Sequence, residues 1–190
     1  MKKTLIAIVV IVLACFCVVG TTLAWLVDKT PTITNTFTFG NIDIALTEST
    51  DLDLKMIPGK TITKDPKVTV AAGSEACWVF VKIEASANYN QFFADYAVAE
   101  GWTKLEDNVY YRSVAQNSGA AQEFPVLAGN QVKVLDTVTK SQFDDMKNGT
   151  TAAPTLAFTA YAVQAEGFAT AAAAWAQAIN AANYPADTNP

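Results

Sequence analysis

The sequence predicts an all-β chain, a β-sandwich of jelly-roll type, with two or three short helices on connections and at the C-terminus. Three observations predict it. Apolar residues recur at period two in several short runs, the spacing at which alternate side chains share one face of a strand. Turn residues such as Pro58-Gly59, Ala72-Gly73-Ser74 and Asn148-Gly149 punctuate those runs. Helical spacing is confined to short segments, chief among them an Ala-rich stretch near the C-terminus.

Taken in order, Ile33, Phe37 and Phe39, then Ile42, Ile44 and Leu46 after Gly40-Asn41, alternate with Thr34, Thr36, Thr38 and Asp43. That pattern is a half-buried strand pair, or one bent strand with Gly40 at the kink or bulge. Residues 67–71 read as a short strand. Residues 77–85 are the strongest strand: Cys77, Val79, Val81 and Ile83 lie on one face, Trp78, Phe80, Lys82 and Glu84 on the other. Trp78 and Phe80 on the second face predict a central strand covered on both sides.

Residues 90–98 have helical spacing, with Phe93 and Ala97 one turn apart, and predict a short helix on a long connection. Residues 102–105 and 109–114 flank Glu106-Asp107-Asn108, a hairpin with a three-residue turn. Residues 131–138 and 155–164 are further strands. Between them Ser141 and Asp144 resemble a capping box, with Asp in place of Glu, opening a helix that ends near Asn148-Gly149. Thr170 caps a last helix over 171–182, with Trp175, Ala178, Ile179 and Ala182 as its apolar stripe. No internal repeat and no long linker is visible, so residues 25–190 form a single domain.

The first 24 residues read as a signal peptide. Met1-Lys2-Lys3 supplies a positive start, residues 5–19 are fifteen apolar residues in a row, and Thr22-Leu23-Ala24 places small residues at both recognition positions. The cut falls between Ala24 and Trp25. An uncleaved anchor is the other reading of the run, which is shorter than the ~20 residues a helix needs to cross a bilayer. Lipidation at Cys15 is a third, but apolar Phe16, Val18 and Val19 follow where a polar tether belongs.

Removing Lys2 and Lys3 leaves 11 basic against 18 acidic residues, a net charge near −7. Such a chain is a poor partner for nucleic acid and for anionic membranes. The remaining 166 residues are enough for one domain that buries about 70% of its unfolded surface. Cys15 and Cys17 leave with the signal, so Cys77 alone remains and no internal disulfide can form. Its apolar setting predicts a buried, inert thiol.

The chain contains no histidine. That removes Ser-His-Asp triads, Cys-His dyads and every His-based zinc motif. Ser49, Ser74, Ser113, Ser118 and Ser141 lie in turns or at element edges, outside any Ser-x-x-Lys or Gly-x-Ser-x-Gly context. No Gly-rich phosphate loop occurs. Asp51 with Asp53, and Asp144 with Asp145, are the places where structural calcium could bind, but neither has the spacing of an EF-hand loop. Glu106 and Asp107 read as turn residues rather than a glycosidase pair. Trp78, Trp102, Tyr110, Tyr111 and Tyr161 have the spacing of core and cross-strand pairs, with a carbohydrate platform as the other reading. We therefore expect no catalytic, cofactor-binding or metal-binding residue.

Two blocks resemble a known family. Thr21-Thr22-Leu23-Ala24-Trp25-Leu26-Val27-Asp28 resembles the cleavage junction of the TasA–camelysin family of Gram-positive exported proteins, which a dedicated signal peptidase processes. Residues 35–48, NTFTFGNIDIALTE, resemble its NTFTxGxxDIxL block. Residues 68–83 and 158–175 are similar more loosely. The resemblance implies a jelly-roll domain and an extracellular matrix protein that forms biofilm fibres, with an N-terminal segment completing the sheet of the next subunit. Some members are described as metallopeptidases, an activity for which this chain offers no His ligand.

These readings converge on an expected function: a secreted structural subunit of a biofilm-matrix or cell-surface fibre. Its partners would be further copies of itself, head to tail, the signal peptidase, and an accessory matrix or anchoring protein. After cleavage at Ala24–Trp25, residues 25–39 are a free apolar arm, with Trp25, Leu26, Val27, Ile33, Phe37 and Phe39 as its assembling residues. The arm either enters a neighbour's sheet or forms the first strand of its own. A camelysin-like surface peptidase and a monomeric binding domain are the rival functions.

Overall fold

The structure, a computed structural model, describes residues 41–49 and 55–181. Its centre is the strand that the alternation marks most strongly. In chain order the strands are β1 (Ile44–Thr47), β2 (Thr61–Thr63), β3 (Lys67–Val70), β4 (Cys77–Ala85), β5 (Thr103–Glu106), β6 (Val109–Val114), β7 (Gln122–Pro125), β8 (Gln131–Lys133) and β9 (Leu156–Gln164). Among the described residues three α-helices accompany them, α1 (Tyr89–Phe92), α2 (Lys140–Lys147) and α3 (Ala171–Ala181), with a short 3-10 turn at Ala128–Asn130.

The strands form a four-stranded sheet ordered β5-β6-β4-β9, a three-stranded sheet β1-β3-β7 and a two-stranded ribbon β2-β8, all antiparallel. β4 pairs with β9 over nine residues, from Cys77↔Gln164 to Ala85↔Leu156, and with β6 on its other side. The two larger sheets share one core. Val68 and Val70 of β3 pack with Cys77, Val79, Val81 and Ile83 of β4, all essentially without exposure. The expected mostly-β fold is what the chain adopts.

The other face of β4 is covered too, as Trp78 and Phe80 predict. Phe80 is fully buried beneath Ala171, Ala174, Trp175 and Ala178 of α3. The Trp175 ring lies 5.2 Å from both Phe80 and Tyr161, and its Nε1 donates to Glu106 Oε1 at 2.7 Å. The Trp78 indole donates to the Phe168 carbonyl at 3.3 Å. Thr170 caps the helix as its position predicts, its hydroxyl accepting from the Ala173 amide at 3.3 Å. Ala171 and Ala174, rather than Ile179, complete the buried stripe, and Ile179 is 45% exposed. A second, smaller core joins Ile62, Phe92, Leu127, Val132, Val134 and Val138, with Phe143 and Met146 of α2 against it.

Several local expectations are corrected by pairing that local spacing cannot show. Residues 90–98 hold a single helical turn and then run extended. Phe93 bridges Val134, Val98 bridges Leu127, and the Ala94 amide donates to the Lys133 carbonyl at 2.9 Å. The β5–β6 turn is shorter than expected, Asp107-Asn108, with Asn108 at φ 65° and a register shift between Lys104 and Glu106. The strand expected over 131–138 ends at Lys133, followed by the Val134 bridge. α2 is capped at Thr139, two residues earlier than the expected Ser141. Thr139 accepts from the Gln142 amide and Gln142 returns a bond from the Thr139 amide, a true capping box. β2 and β7 are additional strands, each with one large apolar residue, too few for alternation to register.

Replacing Phe80 by Ala should lower stability by about 3–5 kcal/mol, the usual cost of deleting a fully buried aromatic. A denaturation curve should show a lower midpoint with unchanged slope.

Candidate functional site: an unguarded strand edge

An open sheet must end somewhere, and the last strand on each side exposes backbone N–H and C=O groups. Among the described residues the two main sheets have four such edges: β5, β9, β1 and β7. Two are guarded. β5 carries Lys104 and Glu106 and the register shift, and β7 carries Glu123 and ends in Pro125, which has no N–H to offer. The other two are not. β1 is four uncharged residues long, and β9 is nine residues, LAFTAYAVQ, without a charge or a proline.

The unguarded edges lie beside each other, since β1 approaches β9. Two hollows follow the seam. One, of about 280 Å³, is lined by Leu46, Pro66, Leu156 and Phe158 among others. The other, of about 460 Å³, is lined by Ile44, Ala160, Ala162, Gln177 and Ala178 among others. Side chains alternate along β9, so Leu156, Phe158, Ala160 and Ala162 face the shared core while Tyr161 and Val163 pack toward α3. Among the described residues nothing pairs with the outer edge of β9, which runs beside an apolar trough.

β1 is fixed at both ends. The Glu75 amide donates to the Asn41 carbonyl at 3.0 Å, and the Ala71 amide to the Asp43 carbonyl at 2.9 Å. Buried Ser74 accepts from the Asp43 amide at 3.2 Å. At the other end Ser49 donates its hydroxyl to Asp65 Oδ2 at 2.6 Å and its amide to Oδ1 at 3.1 Å. Lys64 meets Glu48 at 2.8 Å. The Ser49 side-chain bond, followed by its backbone bond, holds the Asp65 carboxyl below its usual range. β1, whose Ile44 and Leu46 line the two hollows, is therefore held in place at both ends.

The expected cleavage residues Ala24 and Trp25, and the expected arm residues Leu26, Val27, Ile33, Phe37 and Phe39, lie outside the described residues, as do Asp51 and Asp53. Asp144 pairs with Lys140 one turn back on α2. Among the described residues no group of three or more His, Cys, Asp or Glu side chains is placed to hold a metal. Cys77 is buried in the core, and burial pushes its thiol up. Asp107 pairs with Lys104 in the hairpin turn, while Glu106 holds Trp175. Of the aromatics, Trp78 meets Tyr111 edge-on at 5.9 Å, and Trp102 lies against Arg112 and donates to the Pro125 carbonyl at 2.8 Å. Among the described residues, no helix is long and apolar enough to cross a membrane.

Residues 1–91 match the model of the camelysin metallo-endopeptidase family. The TasA–camelysin resemblance holds. Of the camelysin match, the described part runs from the root of β1 through β4 to α1, so it includes the strand at the centre of the fold. Neither the curated proteins nor the solved structures contain a match to this chain. Sequence reading missed the trough itself, although one signal was present: 155–164 is a long strand segment with no charge and no proline.

Ser49→Ala should raise the Asp65 pKa toward an ordinary carboxylate value, as read by side-chain carboxyl NMR. Because the folded Asp65 is depressed, its contribution to stability is present above the unfolded pKa and is lost as pH falls through the folded one. The variant should show a weaker acid-side dependence, since the backbone bond from residue 49 remains.

Proposed function

We propose that this protein is a secreted structural subunit of an extracellular biofilm-matrix or cell-surface fibre, and that it assembles by donating residues 25–39 to the open edge of β9 on the next subunit. The observation that carries this reading is the contrast between edges. β5 and β7 bear the charges, register shift and proline that block pairing, and β9 bears none.

A donated strand would form backbone hydrogen bonds along β9 while alternate side chains drop into the trough. Fifteen extended residues span roughly 50 Å, more than the roughly 30 Å of a nine-residue strand. Ile33, Phe37 and Phe39, at even spacing, supply side chains of one face. Cleavage before Trp25 frees the arm, which makes processing by the signal peptidase the step that permits growth. Donor and acceptor are different surfaces, so the contact is head-to-tail and need not close on itself. The family description favours a second reading, a surface metallopeptidase. The lack of histidine weighs against it by removing the usual zinc ligands.

The test compares purified residues 25–190 with the same chain lacking 25–31. The longer chain should form fibres under negative stain, and the shorter should stay monomeric. Adding a peptide of residues 25–39 to the shorter chain should slow amide exchange along β9 and leave β5 and β7 unchanged. Fibres from the shorter chain, or protection at β5 or β7 instead, would reject the proposal. Chelator-sensitive casein hydrolysis by the pure protein would favour the peptidase.

A further inference from the structure

Arg112 sits in the middle of β6, opposite Val79, whose side chain lies in the shared core. Residues directly opposite in a ladder share a face, so a guanidinium enters the space between the sheets. Its Cζ lies 3.8 Å from the centre of the Phe124 ring and 5.4 Å from that of Trp102. Its Nε is sealed from solvent without a hydrogen-bond partner. Among the described residues no carboxylate lies within ion-pair distance of it, although Lys64, Lys67, Lys82, Lys104, Lys133 and Lys140 all have one. Burial pushes its pKa down.

The surroundings are built rather than incidental. The Trp102 ring is fixed by its bond to Pro125, and Phe124 belongs to the shared core. Gly101 has φ +86°, and a Cβ there would come 3.0 Å from one Nη and 3.4 Å from Cζ. Glycine therefore leaves room for the guanidinium where another residue would crowd it. A half-buried charge held by rigid elements, with ring neighbours but no anion among the described residues, is costly unless something completes it.

We propose that Arg112 is a binding site for a single carboxylate group. The carboxylate would engage the Nη edge of the guanidinium in two parallel N–H···O bonds, the geometry that a planar fork offers a planar acid. One cation in a chain of net charge −5 suits a monovalent carboxylate better than a multiply charged phosphate. The site lies on the β5–β6–β7 side and does not depend on the assembly reading, which concerns β9.

The probe is acetate, titrated at constant ionic strength with chloride as the exchanged anion, into the 15N-labelled monomeric fraction of residues 25–190. The Arg112 Nε–H resonance should shift saturably with acetate, and the thermal midpoint should rise, with neither response reproduced by chloride. In Arg112→Met the thermal response to acetate should vanish. A resonance that already shifts on concentrating the protein alone would assign the carboxylate to a second copy; an acetate response independent of protein concentration would assign it to a free ligand. No saturable shift, an equal shift with chloride, or an acetate response retained by Arg112→Met would overturn the proposal. The NMR titration of the unaltered chain decides the matter if the variant does not fold.

Discussion

Burial of β4 on both faces, with pairing along both edges, is the constraint on which the rest of the structure depends. Val79, Val81 and Ile83 point into the core between the sheets, and Phe80 points into the layer beneath α3. All nine of its residues pair with β9 on one side, and Cys77 to Lys82 pair with β6 on the other. A strand buried on both faces is usual in parallel sheets flanked by helices and less so in antiparallel sandwiches, where one face commonly meets water. Here α3 provides the second cover, and the Trp175–Glu106 bond and the Trp175 ring contacts hold it there. With Cys77 as the one thiol in the described chain, this packing supplies the cohesion that disulfides give many exported domains.

How much of this was legible follows from where each signal resides. β4 was readable because alternation of Cys77, Val79, Val81 and Ile83 against Trp78 and Phe80 is a local property of the sequence. α3 was readable from Thr170 and the Ala-rich run after it. Residues 90–98 were misread because their structure is set by partners some 30–40 residues away, Leu127 and Val134, which override a helix-like spacing of Phe93 and Ala97. β2 and β7 were invisible for the same reason. Each is held by a partner strand, and neither has enough apolar residues to form a pattern of its own.

The candidate site was legible in a different and partial way. The absence of charge from β9 is written in the sequence, but its meaning depends on β9 being an edge, and strand order is a non-local fact. The arm was legible as composition alone, and its residues lie outside those described. Arg112 carried no local signal. An arginine amid Tyr110, Tyr111 and Ser113 reads as a solvent-facing strand residue until the register places it opposite Val79. Among the described residues the two features sit at opposite borders of the four-stranded sheet: a backbone edge without charge or proline on one, and a side-chain charge without a counter-ion toward the other.

The nine-residue ladder between β4 and β9 also has a mechanical meaning. Tension drawn along the axis of β9 would load its hydrogen bonds to β4 in shear, so that they resist together. Tension drawn across the sheet would open them one at a time from an end, like a zip. A strand laid antiparallel or parallel along β9 would transmit pull along that same axis. The domain would then bear load through its longest ladder, and the pairing most exposed to tearing would be the short ribbon of β2 and β8, only three pairs long.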